Sequence, residues 1–159
     1  MVRDLCSFAV REESARATDK KKVESFLPLV EEVRLWSDRK KKVREPLFRG
    51  YVFVRIDLKE RLRVLQTVGV VKFVGTGQRA SVVPDKQIEW VRAVVDSNVP
   101  VERESYPNAG QEVEVIGGPL IGLRGTVSSV KSRTRVVVGI ETISQAFSIE
   151  IRPNFLKAV

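Results

Sequence analysis

Four glycines, Gly117, Gly118, Gly122 and Gly125, punctuate the stretch VIGGPLIGLRGTV at residues 115–127. Close-set glycines are what a loop needs to fold backbone amides around a phosphate. This stretch lacks the Gly-Lys-Ser/Thr ending of a P-loop, and no helical pattern follows it whose N-terminus could hold an anion. Neither a phosphate cradle nor a dinucleotide site is expected there. Other catalytic ingredients are sparse. The chain has no histidine, which removes the commonest acid–base group near neutral pH and the commonest metal ligand. Cys6 is the single cysteine; it can build neither an internal disulfide nor a cysteine metal site, and it reads as a small apolar residue beside a first strand. No carboxylate pair stands out from the solvated background. The expectation is a protein without enzymatic activity, cofactor or metal.

What the sequence offers instead is charge. Lys and Arg number 28 against 20 Asp and Glu, a formal net charge of +8. That balance suits polyanionic partners: nucleic acid, an acidic protein face or an anionic membrane. The charge is uneven, +6 over the first 109 residues and +2 over the rest. The opening MVRDLCSFAVREES is too short and too charged in its apolar run for a signal peptide. No stretch reaches the roughly 18 apolar residues of a membrane span. A soluble, reducing, intracellular setting is expected, with no membrane partner.

These residues need elements to place them. LCSFAV reads as a short strand, and REESARATDKKKVESFL as a polar helix with a weak apolar face. FLPLVEEVRLW is extended, since Pro28 argues against helix. SDRKKKVRE follows as a charged hairpin or loop; its basic run reads equally as a solvated turn or a contact surface. GYVFVRID alternates, with Val52, Val54 and Ile56 on one face and Tyr51, Phe53 and Arg55 on the other. LKERLRVLQTV places Leu58, Leu62 and Leu65 at helical spacing and predicts a short amphipathic helix. GVVKFVG is a further strand, closed by GTGQ. A helix starts at Pro84–Asp85 with an apolar stripe of Ile88, Val91, Val94 and Val95. Trp90 lies off that stripe, either covering the helix edge or exposed for a partner.

NVPVERESYPNAG, with two prolines and no period, reads as a linker. Beyond it QEVEVI, RGTVSSV, TRVVVGIE and AFSIEI are short strands without a helical stripe, the pattern of a small barrel. The expected fold is therefore an α+β first domain (1–97, an antiparallel sheet with flanking helices), a linker (98–109) and an all-β barrel (110–159). In the glycine stretch, Val115 and Val127 end two strands around a shaped loop. Gly117, Gly118, Gly122 and Gly125 permit its turns, and Leu120, Ile121 and Leu123 either plug the barrel end or form a docking knob.

The spacing Gly118-Pro119-x-x-Gly122-x-x-Gly125-x-Val127 resembles the KOW motif of small barrels. FLPLVEEVRLWSDRKKKVREPLFRGYVFVRID, then GVVKFVG and VPDKQIEWV, resembles the N-terminal (NGN) domain of NusG-type transcription factors, with greatest similarity to the specialised UpxY/RfaH-like paralogues. The resemblance covers residues from about 24 to the C-terminus. It implies a cytoplasmic, monomeric transcription elongation and antitermination factor that binds RNA polymerase at the clamp helices of the largest subunit and suppresses pausing or termination. It implies polymerase-binding roles for Phe8, Phe48, Tyr51 and Phe53, and for Lys59, Arg61 and Arg63. It implies contacts to non-template DNA from Arg11, Arg16, Lys20, Lys21 and Lys22. Leu120, Ile121 and Ile143 of the KOW domain would meet a ribosomal protein or the termination factor Rho. Two positions depart from the family pattern: Ser7-Phe8 replaces a Trp-Tyr pair, and Arg49 stands where proline is usual. The second domain is expected to stay a barrel, because β-branched residues crowd RVVVGIE and EVEVI and disfavour a helical form. The alternative reading is a KOW-bearing RNA-binding or ribosome-associated protein that ignores polymerase.

Overall fold

The computed structural model describes residues 6–12, 23–76, 79–107, 110–130 and 132–159. The chain divides between Asp85 and Lys86 into two compact units, so the helix that starts at Asp85 falls almost wholly in the second.

In the first unit the described strands are β1 (Cys6–Glu12), β2 (Glu24–Phe26), β3 (Leu29–Leu35), β4 (Lys40–Pro46), β5 (Tyr51–Ile56), β6 (Val70–Phe73), β7 (Gly75–Thr76), β8 (Arg79–Ala80) and β9 (Val82–Val83). A short helix, α1 (Arg61–Leu65), follows a 3-10 turn at Leu58–Glu60. The main sheet runs β2-β5-β1-β6, with β9 also pairing β1. β1 and β5 are its centre, antiparallel from Cys6 opposite Ile56 to Arg11 opposite Tyr51. Alternation along β5 sends Val52, Val54 and Ile56 to one face, where they join Phe8 and Val64 in a buried core. The other face carries Phe53, which stacks on Phe26 and meets the edge of Phe48. Val52, Phe53 and Val54 are therefore buried on both faces of β5, and Arg55 toward its end is exposed.

β3 and β4 form a separate two-stranded ribbon, in register from Leu29 opposite Pro46 to Leu35 opposite Lys40. The charged hairpin expected around SDRKKKVRE is present. The polar helix expected over REESARATDKKKVESFL is corrected at both ends: Arg11 and Glu12 belong to β1, and the C-terminal end is a strand. There Glu24–Phe26 is β2, held to β5 opposite Phe53, Val54 and Arg55, because Phe26 gains a ring partner by extending. The preceding residues 13–22 lie outside the described residues.

The second unit holds α2 (Asp85–Ser97), β10 (Val101–Ser105), β11 (Glu112–Val115), β12 (Arg124–Val130), β13 (Arg133–Ile140), β14 (Gln145–Glu150) and β15 (Leu156–Ala158). α2 buries Ile88, Val91 and Val94 as its stripe predicts, and Trp90 is half-buried. The strands form one antiparallel sheet, ordered β10-β14-β13-β12-β11-β15. No ladder joins its edge strands β10 and β15 among the described residues, so the sheet is open where a closed barrel was expected. Its inward residues include Val136, Val138, Ile140, Phe147 and Ile149, all buried.

The segment read as a linker also contributes to this sheet. β10 pairs with β14 from Val101 opposite Ile149 to Ser105 opposite Gln145. Its side chains are mostly exposed, and a polar network fastens it. The buried Ser148 donates its hydroxyl to Glu104 Oε1 (2.8 Å) and accepts from Arg135 Nε (3.0 Å), while Arg135 also meets Glu102 at 3.4 Å.

Candidate interaction surface

β5 ends at Ile56, and the chain then turns over the core. Asp57 fixes that turn: its carboxylate accepts from the Lys59 amide (3.0 Å), and its carbonyl accepts from the Glu60 amide (2.8 Å). Side-chain capping of this kind supplies partners for the first amides of a helical segment. α1 closes with the Gln66 amide donating to the Leu62 carbonyl (2.9 Å) and the Thr67 hydroxyl to the Arg63 carbonyl (3.1 Å). A segment this short gains little from its own hydrogen bonds. Val64, fully buried against the sheet core, is its anchor.

With Val64 pointing inward, the predicted leucine stripe points outward. Leu58, Leu62 and Leu65 are exposed, Leu62 at 61%, and Val68 beyond them is 89% exposed. Lys59, Arg61 and Arg63 stand among them, also exposed; Arg63 pairs with Glu60 at 3.3 Å. Beside the ridge lies an open groove of about 460 Å³, lined by Leu58, Lys59, Arg61, Arg79 and Ala80. Its lining mixes the apolar Leu58 and Ala80 with the cationic Lys59, Arg61 and Arg79. Such a surface fits a protein partner that offers apolar side chains between carboxylates. No cluster of His, Cys, Asp and Glu among the described residues could hold a metal ion. No helix among them is long and apolar enough to cross a membrane.

The aromatic residues expected at the surface are placed differently. Phe8, Phe48 and Phe53 are each at most 2% exposed. Phe8 meets Phe73 edge-on at 6.0 Å, and Phe48 meets Phe53 edge-on at 5.9 Å. Their rings form the core, since each buries a large apolar area only by turning inward. Tyr51 alone of the four is half-buried. It follows the turn in which its amide donates to the Phe48 carbonyl (3.2 Å) and Gly50 adopts φ +83°. Lys59, Arg61 and Arg63, expected at a contact, are open; the exposed leucines among them are what sequence reasoning missed. The leucine spacing signalled them, but spacing does not say which face meets solvent.

Of the cations assigned to DNA, Arg11 is exposed on β1; Arg16, Lys20, Lys21 and Lys22 lie outside the described residues. In the second unit the glycine-punctuated loop is held by reciprocal bonds. The Val115 amide donates to the Leu123 carbonyl (2.9 Å) and the Gly122 amide to the Val115 carbonyl (2.8 Å). Gly118 and Gly122 take φ of +79° and +87°, the region where a side chain is strained. The loop plugs its own unit with Leu120 and Leu123, both buried, and turns Ile121 out at 66% exposure. Ile143 is buried as well, so of the three apolar residues expected at a partner contact only Ile121 is open. Ile116 beside it is exposed too.

Comparison with known proteins now bears on these surfaces. Residues 6–92 match the family model described as "NusG: Transcription termination factor nusG". A Thermus thermophilus protein named transcription termination/antitermination protein NusG is 29% identical over 167 residues, covering 89% of each chain. A protein of the same name from Borreliella burgdorferi is 25% identical over 142 residues, covering 81% of this chain and 76% of its own. Among solved structures, one described as domain interaction in Thermotoga maritima NusG matches with a TM-score of 0.55 at 19% identity, covering 98% of this chain and 97% of its own. That likeness is one of fold.

Proposed function

The chain belongs to the NusG family, and on that premise we propose that it is a transcription elongation and antitermination factor acting on RNA polymerase. The match over residues 6–92 carries this reading, and two relatives bearing the termination/antitermination name support it. It acts by binding, without a cofactor, as a monomer in the cytoplasm.

The polymerase-facing surface is the ridge of the first unit. Leu58 and Leu62 supply apolar anchors and Lys59, Arg61 and Arg63 supply charge; Tyr51, at the other end of β5, is a second proposed contact. Apolar anchors rimmed by charge hold an interface through desolvation, while the rim sets register and encounter rate. Phe8 lies in the core beneath it, packed with Val64, while Phe48 and Phe53 form a ring pair on the opposite face of β5. The clamp helices of the largest subunit are the proposed target. Ile121, with Ile116, is the proposed contact of the second unit, toward a ribosomal protein or Rho. The finer assignment is to the UpxY/RfaH-like paralogues, with a second unit that stays in sheet form; the dense antiparallel pairing from β10 to β15 supports that form.

The test is capture of core RNA polymerase by the full chain, with Leu62→Ser and Tyr51→Ala beside it. The reading expects the intact chain to retain polymerase, each variant to retain less, and the intact chain to shorten pauses on a purified template. Failure of the intact chain to bind polymerase would overturn the function; equal binding by both variants would overturn the surface.

A further inference from the structure

β10 closes one end of the second unit's sheet by pairing with β14. Val101 is half-buried and the other four residues of the strand are exposed, so little apolar burial holds it there. Segments with few buried apolar contacts are the first to open locally.

The edge beneath it is shaped for one residue pattern. Alternate residues of a strand share a face, which puts Glu102, Glu104 and, two residues on, Tyr106 in one row. Pairing sets Glu102 opposite Ser148 and Glu104 opposite Ala146, with Gly139 of β13 next beyond Ala146. Each member of the row meets a specific group. The Arg135 guanidinium lies 3.4 Å from Glu102 Oε1, and it donates to the Ser148 hydroxyl (3.0 Å) and carbonyl (3.4 Å). The Ser148 hydroxyl donates to Glu104 Oε1 (2.8 Å). A Cβ on Gly139 would press into the Tyr106 ring, so the missing side chain is what seats that ring.

The receiving groups are fixed where the strand is loose. Ser148 and Ala146 are buried, and only 12% of the Arg135 side chain is exposed. Strand addition draws affinity from main-chain bonds and specificity from alternate side chains. An added strand with carboxylates at two alternate positions and an aromatic ring two residues further would reproduce every contact of β10. A basic or wholly apolar strand would leave Arg135 and the Ser148 hydroxyl without their acceptors, a costly state for buried groups.

We propose that residues 101–106 are a displaceable strap, which keeps the β14 edge closed until a partner supplies an acidic strand of the pattern Glu-x-Glu-x-Tyr. The strap is a competitor in cis, so a strand in trans binds in proportion to the fraction of chains whose edge is open.

The test uses the full chain without polymerase, so its outcome is separate from that of the proposed function. A synthetic peptide PVERESYP, residues 100–107, is titrated to millimolar concentration into isotope-labelled chain, and the amide shifts of β14 report binding. The double variant Glu104→Ala, Tyr106→Ala changes the occupant and leaves the edge intact. It should bind the peptide about tenfold or more tightly than the intact chain does. Adding Gly139→Ala or Arg135→Gln, which alter the edge, should cancel that gain in a chain that still melts as a folded protein. A peptide with Gln for both Glu residues and Ala for Tyr should bind neither form. A double variant whose β12 and β13 amides lose protection would overturn the strap, because β10 would then be integral to the sheet. So would equal binding by the intact chain and the double variant, β14 shifts that ignore the peptide in the double variant, a gain that survives both edge changes, or equal binding of the Gln/Ala peptide.

Discussion

The Ser148 hydroxyl donates to Glu104 Oε1 across 2.8 Å, tying β14 to a strand 44 residues earlier in the chain. Because Ser148 is fully buried and Arg135 donates to it in turn, the bond belongs to a network. Ser148→Ala should therefore cost about 1–2 kcal/mol. It should also raise amide hydrogen exchange across Val101–Ser105 more than across β12 or β13. Uniform exchange, with β10 as protected as before, would show that backbone pairing alone holds the strand.

Two glycines of the second unit predict different costs. A Cβ on Gly125 would press into the Val137 carbonyl of the adjacent strand, whereas one on Gly122 meets nothing within 4 Å. Gly125→Ala should destabilise by about 2–4 kcal/mol through displaced backbone. Gly122→Ala should cost about 1 kcal/mol, from its positive φ alone. Urea unfolding of the two variants measures the contrast.

Phe48 and Phe53 hold stability where Leu62 holds only surface. Phe48→Ala or Phe53→Ala should cost about 3–5 kcal/mol, visible as a large fall in melting temperature. Leu62→Ser should stay within about 0.5 kcal/mol of the parent. A strongly destabilised Leu62→Ser would mean the ridge is packed in solution.

Val64 is the buried anchor of α1. Removing two methyl groups with Val64→Ala should cost about 2 kcal/mol. Amide exchange should rise across α1 and the turn at Thr67 before it rises in β5. Simultaneous loss of protection in α1 and β5 would mean that the helix and the sheet open as one unit.

Local pattern carried much of this fold into the sequence. β5, α2 and the ribbon were legible because their periods follow from alternation, an apolar stripe and turn residues. The leucine stripe was legible as a helix but not as an exposed face: Leu58, Leu62 and Leu65 mark one side of the segment, and only the tertiary packing of Val64 decides that this side faces out. β10 was illegible because its side chains are exposed and its ties to β14 lie over forty residues away, leaving two prolines and scattered charges as the local signal. The contact roles of Phe8, Phe48 and Phe53 rest on the family resemblance alone, and an aromatic residue looks the same in sequence whether it points inward or outward.

The free-standing ribbon has a consequence for the behaviour of the chain in solution. Among the described residues no third strand pairs with either of its two strands, and an unpaired strand edge is a template for another copy to join. The lysines and arginines of the ribbon oppose that joining, since a second ribbon would bring like charges together. Concentrated, salt-rich samples should then be where copies begin to adhere, and replacing Lys40, Lys42 and Arg44 together by Gln should bring that onset to lower salt.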